Sequence, residues 1–169
     1  MQATARTMRL PIQTSASAAS RQRAFTLTEL LIALLIAGSL LTIAVPSYRD
    51  YIERARRTSA IKDLSVLALK LENHRDRTGS FPASLADLNY TPPPDPWGNA
   101  YQYLAIDVTP PPNTGLVRRD KNMNPLNSDF DLYSMGPDGQ TQKQLTAAKA
   151  RDDIVRAGNG GFIGLAAEH

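Results

Sequence analysis

Residues 21–46 read RQRAFTLTELLIALLIAGSLLTIAVP. Two arginines precede an apolar run from Phe25 to Val45, and one acid, Glu29, stands near its start. The run has about the length that a membrane-spanning helix needs. Its twelve Leu, Ile, Val and Phe residues favour insertion by about 4 to 7 kcal/mol, more than the ~3 kcal/mol cost of one ionised acid. The segment is therefore expected to enter a bilayer with its carboxylate. That raises the question of what the carboxylate does there.

Working outward, the chain has 169 residues and a net charge of +3. The excess is local. Residues 1–24 hold Arg6, Arg9, Arg21 and Arg23 and no acid, leaving 15 basic against 16 acidic side chains elsewhere. No later stretch interleaves basic and aromatic residues as a nucleic-acid groove does, so nucleic acid is not an expected partner. Cysteine is absent, which excludes disulfides and cysteine-based zinc sites. Arg49, Arg54, Arg56 and Arg57 follow the span closely, so the Lys/Arg count alone leaves its orientation open.

After Pro46 apolar residues recur at steps of three and four, from Tyr48 through Ile61 and Leu64 to Leu71, with charges between. This predicts continued helix, now amphipathic, to about Thr78, with Gly79 as the stop. Pro46, which lacks a backbone N–H, and Gly38 are expected to mark a kink and a weak point. Beyond Gly79, residues 81–88 (FPASLADL) predict a short helix and 91–99 (TPPPDPWGN) a stiff connector. Residues 100–106 (AYQYLAI) and 129–135 (DFDLYSM) predict strands. The stretch between them is expected to be a long loop with an extended piece at Leu116–Arg118. From Gly136 onward a loop is expected, with one helical turn near 146–150.

Three readings compete for the front of the chain. An ordinary signal peptide has a shorter apolar core and a small-x-small cleavage site, against the longer run here. A plain signal anchor would leave Glu29 as a helix-capping residue, and Thr26-x-x-Glu29 fits a capping box. In the third reading, AFTLTELLIALLI, with its basic leader, resembles the class III signal of type IV pilins and pseudopilins. That resemblance implies cleavage between Ala24 and Phe25 by a prepilin peptidase and N-methylation of Phe25. The family usually carries glycine before the cut, where this chain has Ala24. The resemblance also gives Glu29 an assembly role: a carboxylate in lipid seeks a cation, and cleavage creates one at Phe25 of a neighbouring copy.

The back half separates relatives within that family. DPWGNAYQY (95–103) and DFDLYSMGPDG (129–139) resemble the major pseudopilins (protein G type) of the type II secretion system. The likeness implies calcium in a C-terminal loop. Side-chain ligands carried over from it are Asp138, Asp152 and Asp153, with backbone carbonyls of Leu132, Ser134 and Met135 completing the shell. No EF-hand spacing supports the metal independently, and the bland alternative is a solvated acid cluster. Residues 107–128 are longer than the family's usual connection. Trp97, between Pro96 and Gly98, is expected to plug the helix–sheet interface with its indole N–H on a backbone carbonyl.

The expected architecture is α+β: a long N-terminal helix on a small antiparallel sheet with a C-terminal metal-binding loop. Its parts are a cleaved leader (1–24), an assembly helix (25–46), an amphipathic half (47–78) and a periplasmic head (79–169). His74 and His169 have no nucleophile beside them in sequence, and no arrangement for catalysis is evident. The expected role is structural: polymerisation into a periplasmic filament that drives protein secretion, from a single-pass position in a bacterial inner membrane. Implied partners are further copies of the chain, the prepilin peptidase, minor pseudopilins, the inner-membrane secretion platform and lipid. The alternatives are a type IV pilus subunit and a monomeric, signal-anchored calcium-binding module.

Overall fold

The structure, a computed structural model, describes residues 24–169 apart from 109, 113, 114 and 122. The expected leader, residues 1–24, lies outside the described residues except for Ala24. The chain divides into two compact units, the first ending at Ile43 and the second running from Ala44 to His169.

A single helix, α1 (Leu27–Thr78), spans the division. It starts where Thr26 satisfies two free backbone donors. Its Oγ1 accepts from the Glu29 N–H at 3.2 Å, and its carbonyl accepts from the Leu30 N–H at 3.2 Å. It stops at Gly79, whose φ of 84° breaks the helix while its N–H still reaches the Arg75 carbonyl at 2.7 Å. Pro46 lies inside the helix, as expected, and withholds one N–H from the ladder.

In the first unit α1 is apolar on all sides. Leu27 and Leu35 are each 75% exposed, and Ile43 72%. In the second unit its character becomes one-sided: Ala60, Leu64, Leu67, Ala68 and Leu71 are buried, at the three- and four-residue steps of one helix face. That face packs with Phe81, Tyr101, Ala105, Phe130, Leu132 and Ile154. Each fully buried leucine there stabilises the fold by about 1.5–3 kcal/mol.

Among the described residues, four antiparallel strands form a meander in the order β1 (Gln102–Ala105), β2 (Phe130–Ser134), β3 (Ile154–Ala157) and β4 (Phe162–Leu165). Tyr103 pairs with Leu132, Tyr133 with Val155, and Val155 with Gly164. Side chains alternate across a strand, so Phe130, Leu132 and Ile154 join the helix-side core. Tyr133, Val155 and Ala157 join a second cluster with Leu126, Leu145 and Ala166.

Several expectations need adjusting. The 81–88 segment forms only a 3-10 turn at Leu85–Leu88, with the Ser84 N–H donating to Asp87 Oδ2 at 2.9 Å. The turn expected at 146–150 is a 3-10 turn at Ala148–Ala150. The extended piece expected at Leu116–Arg118 is not formed: Leu116 and Val117 lie in a turn and bend, followed by a single parallel bridge between Arg119 and Gln144. The largest correction concerns the C-terminal region. Residues read as loop form the β3–β4 hairpin, joined through Gly158, Asn159 and Gly160 at φ of 58°, 54° and 93°. Residues 107–128 also do more than connect: they deliver Val117 and Leu126 to buried positions, and Leu126 lies in the second cluster.

Candidate functional site

Two places concentrate the chemistry. The first is the start of α1. Phe25 is 72% exposed. The Glu29 backbone is capped by Thr26, which realises half of the expected capping box. The Glu29 carboxylate makes no hydrogen bond or ion pair among the described residues. Two hydroxyls of the span bond back to their own helix: Ser39 Oγ donates to the Ile36 carbonyl at 2.8 Å, and Thr42 Oγ1 to that of Gly38 at 3.0 Å. A hydroxyl can be satisfied by its own helix, whereas an ionised carboxylate in an apolar setting requires an external partner. Gly38 leaves open space around its Cα, with nothing within 4 Å of an added Cβ.

The second place is the polar centre of the head. The connector turns on Asp95, which is 3% exposed. Its Oδ1 accepts from the backbone N–H groups of Trp97 (3.1 Å) and Asn99 (2.7 Å), and its Oδ2 accepts from Ser134 Oγ at 2.5 Å. Trp97 is half-buried against the helix-side core. Its indole N–H donates to Glu53 Oε2 of α1 at 3.3 Å, not to the backbone carbonyl expected for it. The carboxylate reaches further from the helix than a carbonyl already committed to the helical ladder.

The three expected ligand aspartates have different fates. Asp138 is exposed, and its Oδ1 accepts from the Gln140 N–H at 2.8 Å, closing its own turn. Asp152 is half-buried, its carbonyl lying against Gly136. Asp153 is fully buried, and its Oδ2 receives both Arg118 Nη2 and Thr141 Oγ1. Burial pushes the Asp153 carboxyl up to about 6, against the pull of the Thr141 hydrogen bond and the Arg118 charge. Leu132 and Ser134 stand at ladder positions of β2, opposite Tyr103 and Ile154, and Met135 is half-buried just beyond the strand.

The arginine at this centre was not singled out from sequence. Arg118 is 3% exposed. Its Nη1 donates to Thr141 Oγ1 at 2.8 Å, its guanidinium lies 4.0 Å from the centre of the Tyr133 ring, and its backbone N–H donates to Asp131 Oδ2 at 2.7 Å. Burial raises the Asp131 carboxyl above its ordinary range, although the Arg118 N–H and Asn127 oppose the shift. A second buried arginine, Arg156, lies on the helix side of the sheet. It forks onto Asp129 at 2.8 and 2.6 Å and lies 3.7 Å from Glu72 of α1. The available signal was a charge match, LVRRD against ARDD, but its members are 35 residues apart.

Comparison with known proteins agrees with this anatomy. The prokaryotic N-terminal methylation motif matches residues 19–45. The family of the type IV minor pilin ComP, DNA uptake sequence receptor, matches residues 46–114. A type II secretion system core protein G of Aeromonas hydrophila is 30% identical over 141 residues, covering 71% of this chain and 86% of the relative. The chain belongs to the type IV pilin-like family of type II secretion core proteins G. The corresponding Pseudomonas aeruginosa protein is 28% identical, with 71% and 87% covered. A fimbrial protein of the same species is 42% identical over 52 residues, 31% of this chain.

The calcium implied by the likeness can be tested on this pseudopilin's own residues. Calcium takes six to eight oxygens. Here Asp153 Oδ2 is already occupied by a guanidinium and a hydroxyl, leaving Oδ1 as its free oxygen. Among the described residues no three His, Cys, Asp or Glu side chains converge to hold an ion. The arrangement does not fit the expected ligand set.

Proposed function

We propose that this pseudopilin is a structural subunit that polymerises through α1 into a periplasmic pseudopilus serving type II protein secretion. The observation that carries the reading is the Glu29 carboxylate, without a partner among the described residues, on a helix start that is apolar and exposed. Such a helix finds its apolar environment in lipid or against copies of itself. A prepilin peptidase would cut between Ala24 and Phe25, and methylation would follow on the new amine. That amine then offers the cation that Glu29 of an adjacent copy requires. The match of residues 19–45 to the methylation motif supports the processing step. Relatives named as core protein G support the secretion role over that of a surface pilus. The subunit lies in the inner membrane as a single-pass protein with its head in the periplasm. Minor pseudopilins and the inner-membrane platform are its partners, and its contribution is assembly, not catalysis.

The test compares Glu29→Ala and Glu29→Asp with the wild type. Glu29→Ala is expected to insert and to be cut normally but to yield no filaments. Normal filaments from Glu29→Ala would sink the pairing. Mass spectrometry of the mature N-terminus is expected to show methylated Phe25, and an intact Met1 would remove the cation on which the reading depends.

A further inference from the structure

The mismatch at the expected metal site has a positive counterpart, and it does not depend on polymerisation. We propose that Arg118 is the head's resident cation, holding the Asp153 centre together in place of a divalent metal. The guanidinium and its backbone N–H tie four separate pieces of chain. Arg118 belongs to the 107–128 segment, Asp131 and Tyr133 to β2, Thr141 to the loop after β2, and Asp153 to the approach to β3. A bound metal would unite such loops in a domain without cysteine. A buried carboxylate requires a paired cation, and here the cation is covalently part of the chain.

The competing metal is disfavoured by this geometry. An arginine keeps its charge in a protein, and its fork of donors suits a carboxylate. A divalent ion on Asp153 Oδ1 would share one carboxylate with a permanent positive charge. Asp138 is engaged in its own turn, and the three aspartates do not converge. The cation is supplied by the 107–128 segment, which enters the centre between β1 and β2 of the chain order. The 107–128 segment is itself secured beside the centre: the Arg119 N–H donates to the Lys143 carbonyl at 2.9 Å, and the Leu126 N–H to the Arg118 carbonyl at 2.7 Å.

The test follows Trp97 fluorescence during thermal unfolding of the full chain in detergent micelles, with excess calcium or with excess chelator. The wild type is expected to melt at the same temperature in both. Arg118→Met is expected to melt lower by roughly 10–20 °C, as for a buried carboxylate stripped of its partner. A wild-type melting temperature that rises with calcium overturns the proposal, as does stoichiometric calcium binding by calorimetry. An Arg118→Met chain as stable as the wild type overturns it equally. Should Arg118→Met fail to fold, Arg118→Lys decides: the proposal requires a lower melting temperature for it, because an ammonium lacks the fork, and an unchanged one counts against it.

Discussion

Asp95 and Ser134, 39 residues apart in sequence, share a buried hydrogen bond of 2.5 Å that fastens the proline-rich connector to the end of β2. The same serine oxygen accepts from the Gly136 N–H at 3.0 Å, and the same carboxylate accepts from Trp97 and Asn99. Replacing Asp95 with Ala leaves two backbone donors and a hydroxyl without an acceptor. The expected loss is about 3–5 kcal/mol, since each orphaned buried group costs roughly 1–3 kcal/mol. Denaturant unfolding followed by Trp97 fluorescence measures it. A loss below 1 kcal/mol (about the worth of one ordinary hydrogen bond) would show that the connector is held elsewhere.

Gly136 and Gly79 form a matched pair for substitution. Both have positive φ, 63° and 84°, but a Cβ at Gly136 would collide with the Asp152 carbonyl, whereas one at Gly79 meets nothing within 4 Å. Gly79→Ala is expected to cost about 1 kcal/mol for the left-handed backbone alone. Gly136→Ala adds a clash with main chain and is expected to cost at least ~3 kcal/mol. Equal losses would mean that the β2 exit and the approach to β3 can move apart freely.

Tyr101 and Tyr103 give a pH prediction. Burial raises both hydroxyls well above the ordinary tyrosine range, with Asp63 adding to the shift at Tyr101 and Asp129 at Tyr103. Tyr101 donates to Asp63 Oδ2 at 3.0 Å and Tyr103 to the Pro82 carbonyl at 2.9 Å. A folded-state value above the unfolded one, near 10, means that the unfolded chain loses these protons first. Their stabilisation is therefore complete below about pH 10 and declines as pH rises beyond it. In a spectrophotometric titration, two of the six tyrosines are expected to ionise only together with unfolding. Six tyrosines ionising before any loss of structure would contradict this.

Leu126 tests what the 107–128 segment contributes. It is fully buried beside Leu145, Val155, Ala157 and Ala166. Leu126→Ala is expected to destabilise the head by about 2–5 kcal/mol, the range for a core leucine. Leu116→Ala, at a position 53% exposed, is expected to change stability by less than ~0.5 kcal/mol. Similar effects from both would place the segment outside the core.

Much of this fold was legible because its signals are local. The helix was readable from twelve apolar residues followed by a three-and-four periodicity, and β1 and β2 from aromatic and aliphatic runs. The β3–β4 hairpin was not. Arg156 interrupts IVRA at a position that faces the helix side, where Asp129 and the Phe130 ring accommodate its charge. Gly164 interrupts FIGL differently: it faces the second cluster opposite Val155 and adds no side chain to the apolar pattern. A buried charge matched by a distant partner looks, in sequence, like a solvated one. Glu29 could be selected because it is one acid in a long apolar run. Arg118 could not, because its importance depends on Thr141 and Asp153 arriving from elsewhere in the chain.

The compact unit that contains the sheet begins at Ala44, within α1, and not at the glycine that ends the helix. Leu64, Leu67 and Leu71 are one wall of that unit's interior. Anyone grafting this head onto a relative's stalk would therefore need to make the splice upstream of that wall, close to Ala44. A chimera joined at Gly79 would inherit a sheet whose apolar side had been left behind on the donor.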